Sequence, residues 1–320
     1  MRNELLGFTP SSFLRYRSNF VHFPPMNFLF LFLDGVGLGA NGETNPFALA
    51  KTPFLESLLG GKLTKELGPL TSPELIFRHL DAKLGFPGLP QSATGQTTLL
   101  TGRNGAEVMQ GHYGPYPGPT LKKELDKGTL FSDVLRLGKR ATLSNLYPPG
   151  YFRAVETGQQ KYNVPVYAAR QAGLELLRID DYRSGNAVSV DMTGDYLHHH
   201  DATLKPVSAL EMGKRLAYMA GQNDFTFFDL WLTDQAGHRW SVSECARLVE
   251  TLDLFLCGVV ENLGDATLLV TSDHGNLEDK AVKTHTLADV PLIVVGDNAE
   301  RFRQAKTLLD VASMIRGAMT

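Results

Sequence analysis

Residues 266–276 read ATLLVTSDHGN, an apolar run followed by a polar pair. The first five residues are apolar and partly β-branched, with no proline, which is typical of a strand buried on both faces. Asp273 and His274 stand where this strand ends. A carboxylate and an imidazole make poor core material, but both are good ligands for a divalent cation. A single Asp-His pair also occurs as an ordinary loop hydrogen bond, so its meaning depends on partners elsewhere in the chain.

Three further apolar runs, residues 28–33, 226–232 and 292–295, have the same character. Together with 266–270 they are predicted to be buried parallel strands, with helical patterns between them, including one at 242–263. This alternation predicts an α/β fold with a mostly parallel sheet flanked by helices. An aspartate lies just beyond three of the runs, at Asp34, Asp234 and Asp273. Because ligands of such sheets gather at the carboxyl ends of the strands, the three aspartates are expected to share one site.

Residues 103–223 differ in character from the rest of the chain. They begin with a turn-dense stretch, GHYGPYPGP at 111–119, followed by a predicted helix at 130–137, a predicted strand at 141–146 and a mixed pattern. We interpret this region as an inserted α+β cap domain between two segments of the catalytic core, residues 27–102 and 224–320. Residues 1–26 are mixed aromatic, basic and polar, and are predicted to be an N-terminal extension, with Met26 as a possible native start.

Composition excludes several classes of partner. The chain has 320 residues, a net charge of −3 and 20% charged residues, which gives no electrostatic argument for binding nucleic acid or an anionic membrane. No apolar run approaches the roughly 20 residues of a membrane span. Cys245 and Cys257 fall in one predicted helix and are too far apart to form a disulfide. A cytoplasmic protein is therefore expected, while the oligomeric state stays open.

Further ligand-type residues recur along the chain. DQAGH at 234–238 places Asp234 and His238 four residues apart, so one turn of helix would bring them to the same side. His285 follows His274 by eleven residues, within KTHT at 283–286. With Asp34, the chain offers three aspartates and three histidines at or near strand ends, which packing alone does not explain. These residues predict a site for two metal ions.

A candidate nucleophile lies in QSATGQTTLLTG, residues 91–102. Ser92 is predicted to begin a helix that ends at Gly102, a residue type favoured at helix C-termini. The N-terminus of a helix stabilises anions, and a serine beside a divalent cation can lose its proton near neutral pH and attack phosphorus. For Ser92 taken alone, a helix N-cap is the favoured interpretation. The metal-type residues elsewhere favour the nucleophile.

The order and spacing of these motifs resemble those of the alkaline phosphatase superfamily. The matching elements are DGVG at 34–37, Ser92, Asp234 with His238, SDHGN at 272–276, and His285. The chain is similar to the metalloenzyme branch that includes phosphopentomutase and cofactor-independent phosphoglycerate mutase. The resemblance covers residues 27–102 and 225–296 and is weak over the predicted cap.

The resemblance implies an alkaline-phosphatase-like core that binds two divalent ions, Mn²⁺ or Zn²⁺. One ion would be held by Asp234, His238 and His285. The other would be held by Asp34, Ser92, Asp273 and His274. Ser92 would form a phosphoserine, from which water or a hydroxyl of the substrate takes the phosphoryl group, giving a phosphatase or a mutase. The implied substrate is a small phosphorylated metabolite, whose binding residues in the cap the sequence does not identify.

Departures and alternatives qualify this interpretation. The mutases often carry histidine where this chain has Gln96. A phosphodiesterase, a sulfatase-like hydrolase and a non-catalytic metal-stabilised binding protein are the alternatives. GLGANG at 37–42 also matches a dinucleotide-binding fingerprint, but Asn45 before proline disfavours the helix that such a site requires. HHHD at 198–201 is expected to be a solvated loop rather than a third metal site.

Overall fold

The computed structural model describes residues 27–319, so the predicted extension at 1–26 lies outside the described residues. Within this range, seven strands form one sheet: β1 (Phe28–Leu33), β2 (Leu70–Thr71), β3 (Leu75–Leu80), β4 (Ala141–Leu143), β5 (Phe225–Leu230), β6 (Thr267–Ser272) and β7 (Val290–Val295). Their order across the sheet is β2-β3-β7-β6-β1-β5-β4.

Fourteen α-helices surround the sheet in this part of the chain. They are α1 (Pro46–Leu49), α2 (Pro53–Leu59), α3 (Ser92–Thr101), α4 (Gly105–Met109), α5 (Pro119–Asp126), α6 (Leu130–Arg136), α7 (Pro149–Glu156), α8 (Val164–Gln171), α9 (Ile179–Arg183), α10 (Asp195–His200), α11 (Ala209–Gln222), α12 (Leu232–Arg239), α13 (Val242–Glu261) and α14 (Leu308–Met319). A short 3₁₀ helix covers Ala299–Phe302. No helix between residues 27 and 319 is long and apolar enough to span a bilayer.

The sheet is mixed, which confirms the α/β class but corrects the direction of one predicted strand. β1 runs parallel to β5 and β6, and β4 runs parallel to β5. β7, predicted as parallel, is antiparallel to both β6 and β3. Its apolar sequence reflects burial on both faces, which a central strand has in either direction. The segment between β6 and β7 contains no helix, whereas a parallel connection usually needs a helical crossover.

Side chains of β1 alternate between two hydrophobic cores, one on each face of the sheet. Phe28, Phe30 and Phe32 lie in the core that includes residues of α3, α5, α6, α8 and α14. The intervening leucines lie in the core that includes residues of α2, α11 and α13. This alternation follows from the period of two in a strand, and it places helices over both faces, as the sequence predicted.

The region predicted as a cap contributes in part to this central architecture. β4 lies beside β5 in the main sheet, and ends three residues earlier than predicted. α11 packs against α13 over one face of the sheet. A lobe that covers the substrate stays a prediction. Residues 198–200, expected in a loop, are the last three of α10.

Candidate metal centre and nucleophile

The carboxyl ends of β1, β5 and β6 lie at one edge of the sheet because these strands are parallel. Asp34 directly follows β1, and Asp273 directly follows β6. β5 ends at Leu230, two residues earlier than predicted, because the chain turns at once into α12. Asp234 therefore lies in the first turn of a helix rather than at a strand end, and the same helix carries His238 one turn later.

The predicted nucleophile begins a buried helix at the same site. Ser92 is the first residue of α3, Gln91 is the N-cap without a side-chain capping bond, and Gly102 ends the helix with φ 68°. All ten residues of α3 are buried. Threonine hydroxyls make this possible by bonding back to helix carbonyls, as Thr98 Oγ1 does to Thr94 O at 2.8 Å. The Ser92 hydroxyl does not cap the helix, since its Oγ lies 3.0 Å from His274 Nε2.

Three ligand-type residues lie around Ser92. They are Asp34, Asp273 and His274, and we call them the buried group. His274 Nε2 lies 3.5 Å from Asp34 Oδ1 and 3.5 Å from Asp273 Oδ2. Gln96 Nε2 donates to Asp273 Oδ2 at 2.9 Å and to Asp34 Oδ2 at 3.3 Å. Asp34 Oδ1 is buried and accepts no hydrogen bond. A cation would satisfy this oxygen, so the donor set fits a divalent metal ion.

The electrostatics of the buried group lead to the same conclusion. Burial raises the pKa of Asp273 to about 7, although hydrogen bonds from Gln96 and Gly35 oppose the rise. Burial, together with the nearby charge of Asp273, raises the pKa of Asp34 well above its usual range. Burial lowers the pKa of His274, which keeps its imidazole neutral and able to act as a ligand. Among residues 27–319, neither of these two adjacent buried carboxylates forms an ion pair with a lysine or an arginine.

The remaining three ligand-type residues, Asp234, His238 and His285, form the open group. Asp234 Oδ2 lies 3.4 Å from His238 Nε2, and Asp234 Oδ1 lies 3.8 Å from His285 Nε2. The side chains of His238 and Asp234 are 36% and 20% exposed, more than any in the buried group, whereas His285 at 9% is about as buried as Asp34 at 11%. Asn276 Nδ2 donates to Asp234 Oδ1 at 2.6 Å and fixes the carboxylate.

In the open group the charges compensate each other. Burial alone would raise the pKa of Asp234, but the hydrogen bond with His238 and the charge of His274 lower it to about 2. The hydrogen bond with Asp234 in turn raises the pKa of His238. Burial and the nearby charge of His274 lower the pKa of His285.

Each of the three histidines presents its Nε2 atom to the site. The Nδ1 atoms of His238, His274 and His285 lie 3.2, 3.3 and 2.7 Å from main-chain carbonyl oxygens. Because a carbonyl oxygen only accepts, each Nδ1 carries the proton and each Nε2 keeps a lone pair when the ring is neutral. This arrangement is common for histidines that bind metals. The carbonyls belong to Lys283, Gly275 and Pro90, respectively.

His274 connects the two groups. Its ring stacks on that of His285, with centroids 3.7 Å apart and an interplanar angle of 15°. Candidate ligand atoms of His274 lie within 4.8 Å of those of Asp34 and Asp273, and also of those of Asp234 and His285. The structure thus brings all seven predicted site residues together, and it places His274 between the groups rather than in one alone. The assignment of each ligand to one metal ion stays a prediction.

The sequence reasoning missed several polar residues that the site uses. Gln96 was noted only as a departure, and Asn276 only as part of a motif. Asp229 is buried in β5, where burial raises its pKa to about 7, and it accepts a hydrogen bond from Asn163 Nδ2 at 2.8 Å. An aspartate inside the apolar strand FTFFDL breaks the hydrophobic pattern, and this signal could have identified it.

Comparison with protein families agrees with this geometry. The model of the Metalloenzyme superfamily matches residues 26–319, almost the whole chain. The chain belongs to the Metalloenzyme superfamily. This membership confirms the resemblance to the metalloenzyme branch of the alkaline phosphatase superfamily. Together with the two ligand groups, it supports divalent metal ions as the cofactor.

Relatives of known activity match only part of the chain. A 2,3-bisphosphoglycerate-independent phosphoglycerate mutase of Clostridioides difficile is 30% identical over 130 residues, which is 36% of this chain and 26% of that protein. The enzyme of the same name from Aliivibrio fischeri is 35% identical over 117 residues, or 33% of this chain and 23% of that protein. The matches thus span about a quarter of the length of these relatives.

Solved structures share the fold. A cold-active alkaline phosphatase from the psychrophile Shewanella sp. superimposes with a TM-score of 0.52 at 11% identity, covering 92% of this chain and 100% of that chain. The alkaline phosphatase of the Antarctic bacterium TAB5 gives a TM-score of 0.50 at 14% identity, covering 92% and 98%. These similarities confirm an alkaline-phosphatase-like α/β core.

Proposed function

We propose that this protein is a metal-dependent phosphoryl-transfer enzyme that acts on a small phosphorylated metabolite, either as a phosphomutase or as a phosphomonoester hydrolase. The observation that carries the proposal is the position of Ser92. Its Oγ lies at the buried N-terminus of α3, 3.0 Å from His274 Nε2, beside the carboxylates of Asp34 and Asp273. The phosphoglycerate mutase relatives support the reaction class.

Two divalent ions, Mn²⁺ or Zn²⁺, would be held by the seven residues of the site. The buried group with Ser92 would hold one ion, and the open group the other, with His274 between them. When bound, such ions neutralise phosphoryl oxygens and lower the pKa of a coordinated hydroxyl. The unsatisfied Asp34 Oδ1 and the uncompensated carboxylates of the buried group support this assignment.

The side chains of this chain prepare Ser92 for attack on phosphorus. His274 Nε2 accepts the hydrogen bond of the Ser92 hydroxyl and so orients its Oγ lone pairs away from the imidazole. The Ser92 hydroxyl gives up its proton to bulk water as the bond between Oγ and phosphorus forms; the ester P–O bond breaks, and the leaving oxygen takes a proton from bulk water. Free N–H groups at the start of α3 stabilise the negative charge of the phosphoryl group. Attack by water, or by a second hydroxyl of the substrate, then releases Ser92.

The test is a substrate panel with Mn²⁺, in which free phosphate and isomerisation are scored separately. Sugar phosphates and phosphoglycerates form the panel, and an aryl phosphodiester and an aryl sulfate test the other hydrolase classes. Isomer without free phosphate indicates a mutase, and phosphate without isomer indicates a phosphatase.

The Ser92→Ala variant tests the nucleophile. We expect turnover to fall by at least about 10³-fold, because loss of a nucleophile removes the covalent route. Ser313→Ala is the matched control, since Ser313 lies in α14 and its Oγ donates only to Asp310 O among the described contacts. Unchanged turnover of Ser92→Ala would show that Ser92 is not the nucleophile.

A further inference from the structure

A buried glutamate outside the predicted ligand set joins the loops that carry the site. Glu278 is 2% exposed. Its Oε2 accepts hydrogen bonds from the main-chain N–H of Gly37 at 2.9 Å and of Asn276 at 2.7 Å. Its Oε1 accepts the hydroxyl hydrogen bond of Thr286. One carboxylate thus binds the loop after β1, the loop after β6 and the segment before β7.

Each of these segments carries a ligand-type residue within three positions of its contact to Glu278. Asp34 precedes Gly37 by three residues, His274 precedes Asn276 by two, and His285 directly precedes Thr286. Gly37 and Glu278 are 241 residues apart in the chain, so the link is a tertiary one. The relative positions of Asp34, His274 and His285 therefore depend on this carboxylate.

Glycines make room for the carboxylate. A Cβ atom at Gly37 would lie 2.6 Å from the Cδ atom of Glu278, and one at Gly275 would lie 2.3 Å from its Oε1. Any other residue at these positions would displace the glutamate. This explains Gly37, the first glycine of the run at 37–42 that matches a dinucleotide fingerprint in sequence: it faces an internal carboxylate.

The charge of Glu278 is not neutralised by a basic side chain. No lysine or arginine among residues 27–319 forms an ion pair with it. The charge is near enough to His274 to favour the protonated imidazole, against the stronger effect of burial. A buried negative charge without a counter-ion is costly even when hydrogen bonds satisfy its oxygens, and a pair of divalent ions close by would offset that cost.

We propose that Glu278 is a positioning residue of the metal centre. It holds the loop after β1 and two ligand-bearing parts of the β6–β7 connection at a fixed separation, and its negative charge strengthens the binding of divalent cations without coordinating them. This inference rests on the proposed function in one respect, namely that the ligand groups bind metal ions.

The test compares Glu278→Gln with the wild-type protein, using Mn²⁺ alone as the probe. We expect the Mn²⁺ dissociation constant, measured by titration calorimetry, to rise by roughly 10- to 100-fold, as for other residues that orient metal ligands. In the metal-free variant, amide hydrogen exchange at Gly37 and Asn276 should become faster, because a neutral amide oxygen accepts their N–H hydrogen bonds more weakly than a carboxylate oxygen does.

Asp253→Asn is the matched control. Asp253 is also a buried carboxylate, in α13, and it accepts the main-chain N–H groups of Phe54 and Leu55 at 3.1 and 2.8 Å. Its substitution should speed exchange at residues 54 and 55 and lower stability, but leave the Mn²⁺ affinity unchanged.

Equal Mn²⁺ affinity in Glu278→Gln and wild-type protein would overturn the inference. A wild-type protein that binds no Mn²⁺ would instead contradict the proposed function and the metal part of the inference together. Unchanged exchange at Gly37 and Asn276 in Glu278→Gln would separately refute the tethering of the loops.

Discussion

The two ligand groups lie side by side at one sheet edge but differ in how their charges are balanced. In the buried group, Asp34 and Asp273 repel each other, and burial raises the pKa of both carboxyls. In the open group, Asp234 pairs with His238, and its pKa falls to about 2. In the open group, the side chains therefore balance their own charges without a metal ion. The buried group lacks a cation of its own, and a bound metal ion would stabilise it most.

The largest contrast is expected between His274→Ala and His238→Ala. His274 is fully buried and lies between both groups, whereas the His238 side chain is 36% exposed. His274→Ala should weaken Mn²⁺ binding by more than about 100-fold and affect both ions, since a ligand matters more than the residues that orient it. His238→Ala also removes a predicted ligand and should weaken the binding of one ion by about 100-fold, while the binding of the other stays unchanged. Calorimetric titration measures the affinity for each of the two Mn²⁺ ions. If both variants lost the same affinity for the same ions, the distinction between the two groups would be wrong.

The pH dependence of the free energy of unfolding, measured on the metal-free protein, tests this difference in charge balance. Asp273 ionises near 3.8 when unfolded but near 7 in the fold, so the folded state binds more protons between these values. The free energy of unfolding should therefore fall as pH rises from about 4 to 7. Asp234 acts in the opposite sense, because folding lowers its pKa from 3.8 to about 2. It therefore stabilises the fold above pH 3.8, and this stabilisation is lost as the pH falls towards 2.

Asp273→Asn should remove much of the decrease in the free energy of unfolding between about pH 4 and 7. At about pH 8 and without metal, the variant should be more stable than the wild-type protein by roughly 1–4 kcal/mol, even though it binds Mn²⁺ more weakly. Urea unfolding with a chelator measures this difference. Asp234→Asn is the paired variant and should be destabilised under the same conditions. Loss of stability in both variants would contradict the proposed imbalance of charge.

Packing behind the buried group should give an effect of intermediate size. A Cβ atom at Gly95 would lie 2.9 Å from the main-chain oxygen of Asp273, which cannot move as a flexible side chain would. Gly95→Ala should cost about 1–3 kcal/mol and weaken Mn²⁺ binding. Gly221→Ala is the control, because nothing lies within 4 Å of its Cβ and α11 should gain about 0.5–1 kcal/mol. Normal stability of Gly95→Ala would show that this contact relaxes freely.

The smallest effect is expected from Asn276→Ala. This change removes the hydrogen bond from Asn276 Nδ2 to Asp234 Oδ1 but no predicted ligand. Binding of one Mn²⁺ ion should weaken by about tenfold, while the second stays unchanged. Asn262→Ala provides the control, since its side chain donates to Gly258 O within α13. Equal weakening of both ions would show that the groups are not independent.

Local sequence pattern predicted much of the fold. The strand at 28–33 is confirmed at both ends, and the helix predicted to begin at Ser92 and to end at Gly102 does so. Residue chemistry at and near strand ends selects six of the seven residues that converge at the site, and Ser92 is selected by its predicted place at a helix N-terminus together with those six. These features depend on neighbours a few residues apart, where the hydrophobic period, helix-ending glycines and ligand chemistry act directly.

Tertiary structure alone decided the rest. The antiparallel direction of β7, the place of β4 in the sheet and the position of His274 between the two groups depend on contacts between distant segments. Glu278 shows this most clearly, because nothing near it in sequence indicates that it binds a loop 241 residues away. An apolar run reports that a strand is buried but not its direction. A buried carboxylate likewise acquires its role only from the donors that folding brings to it.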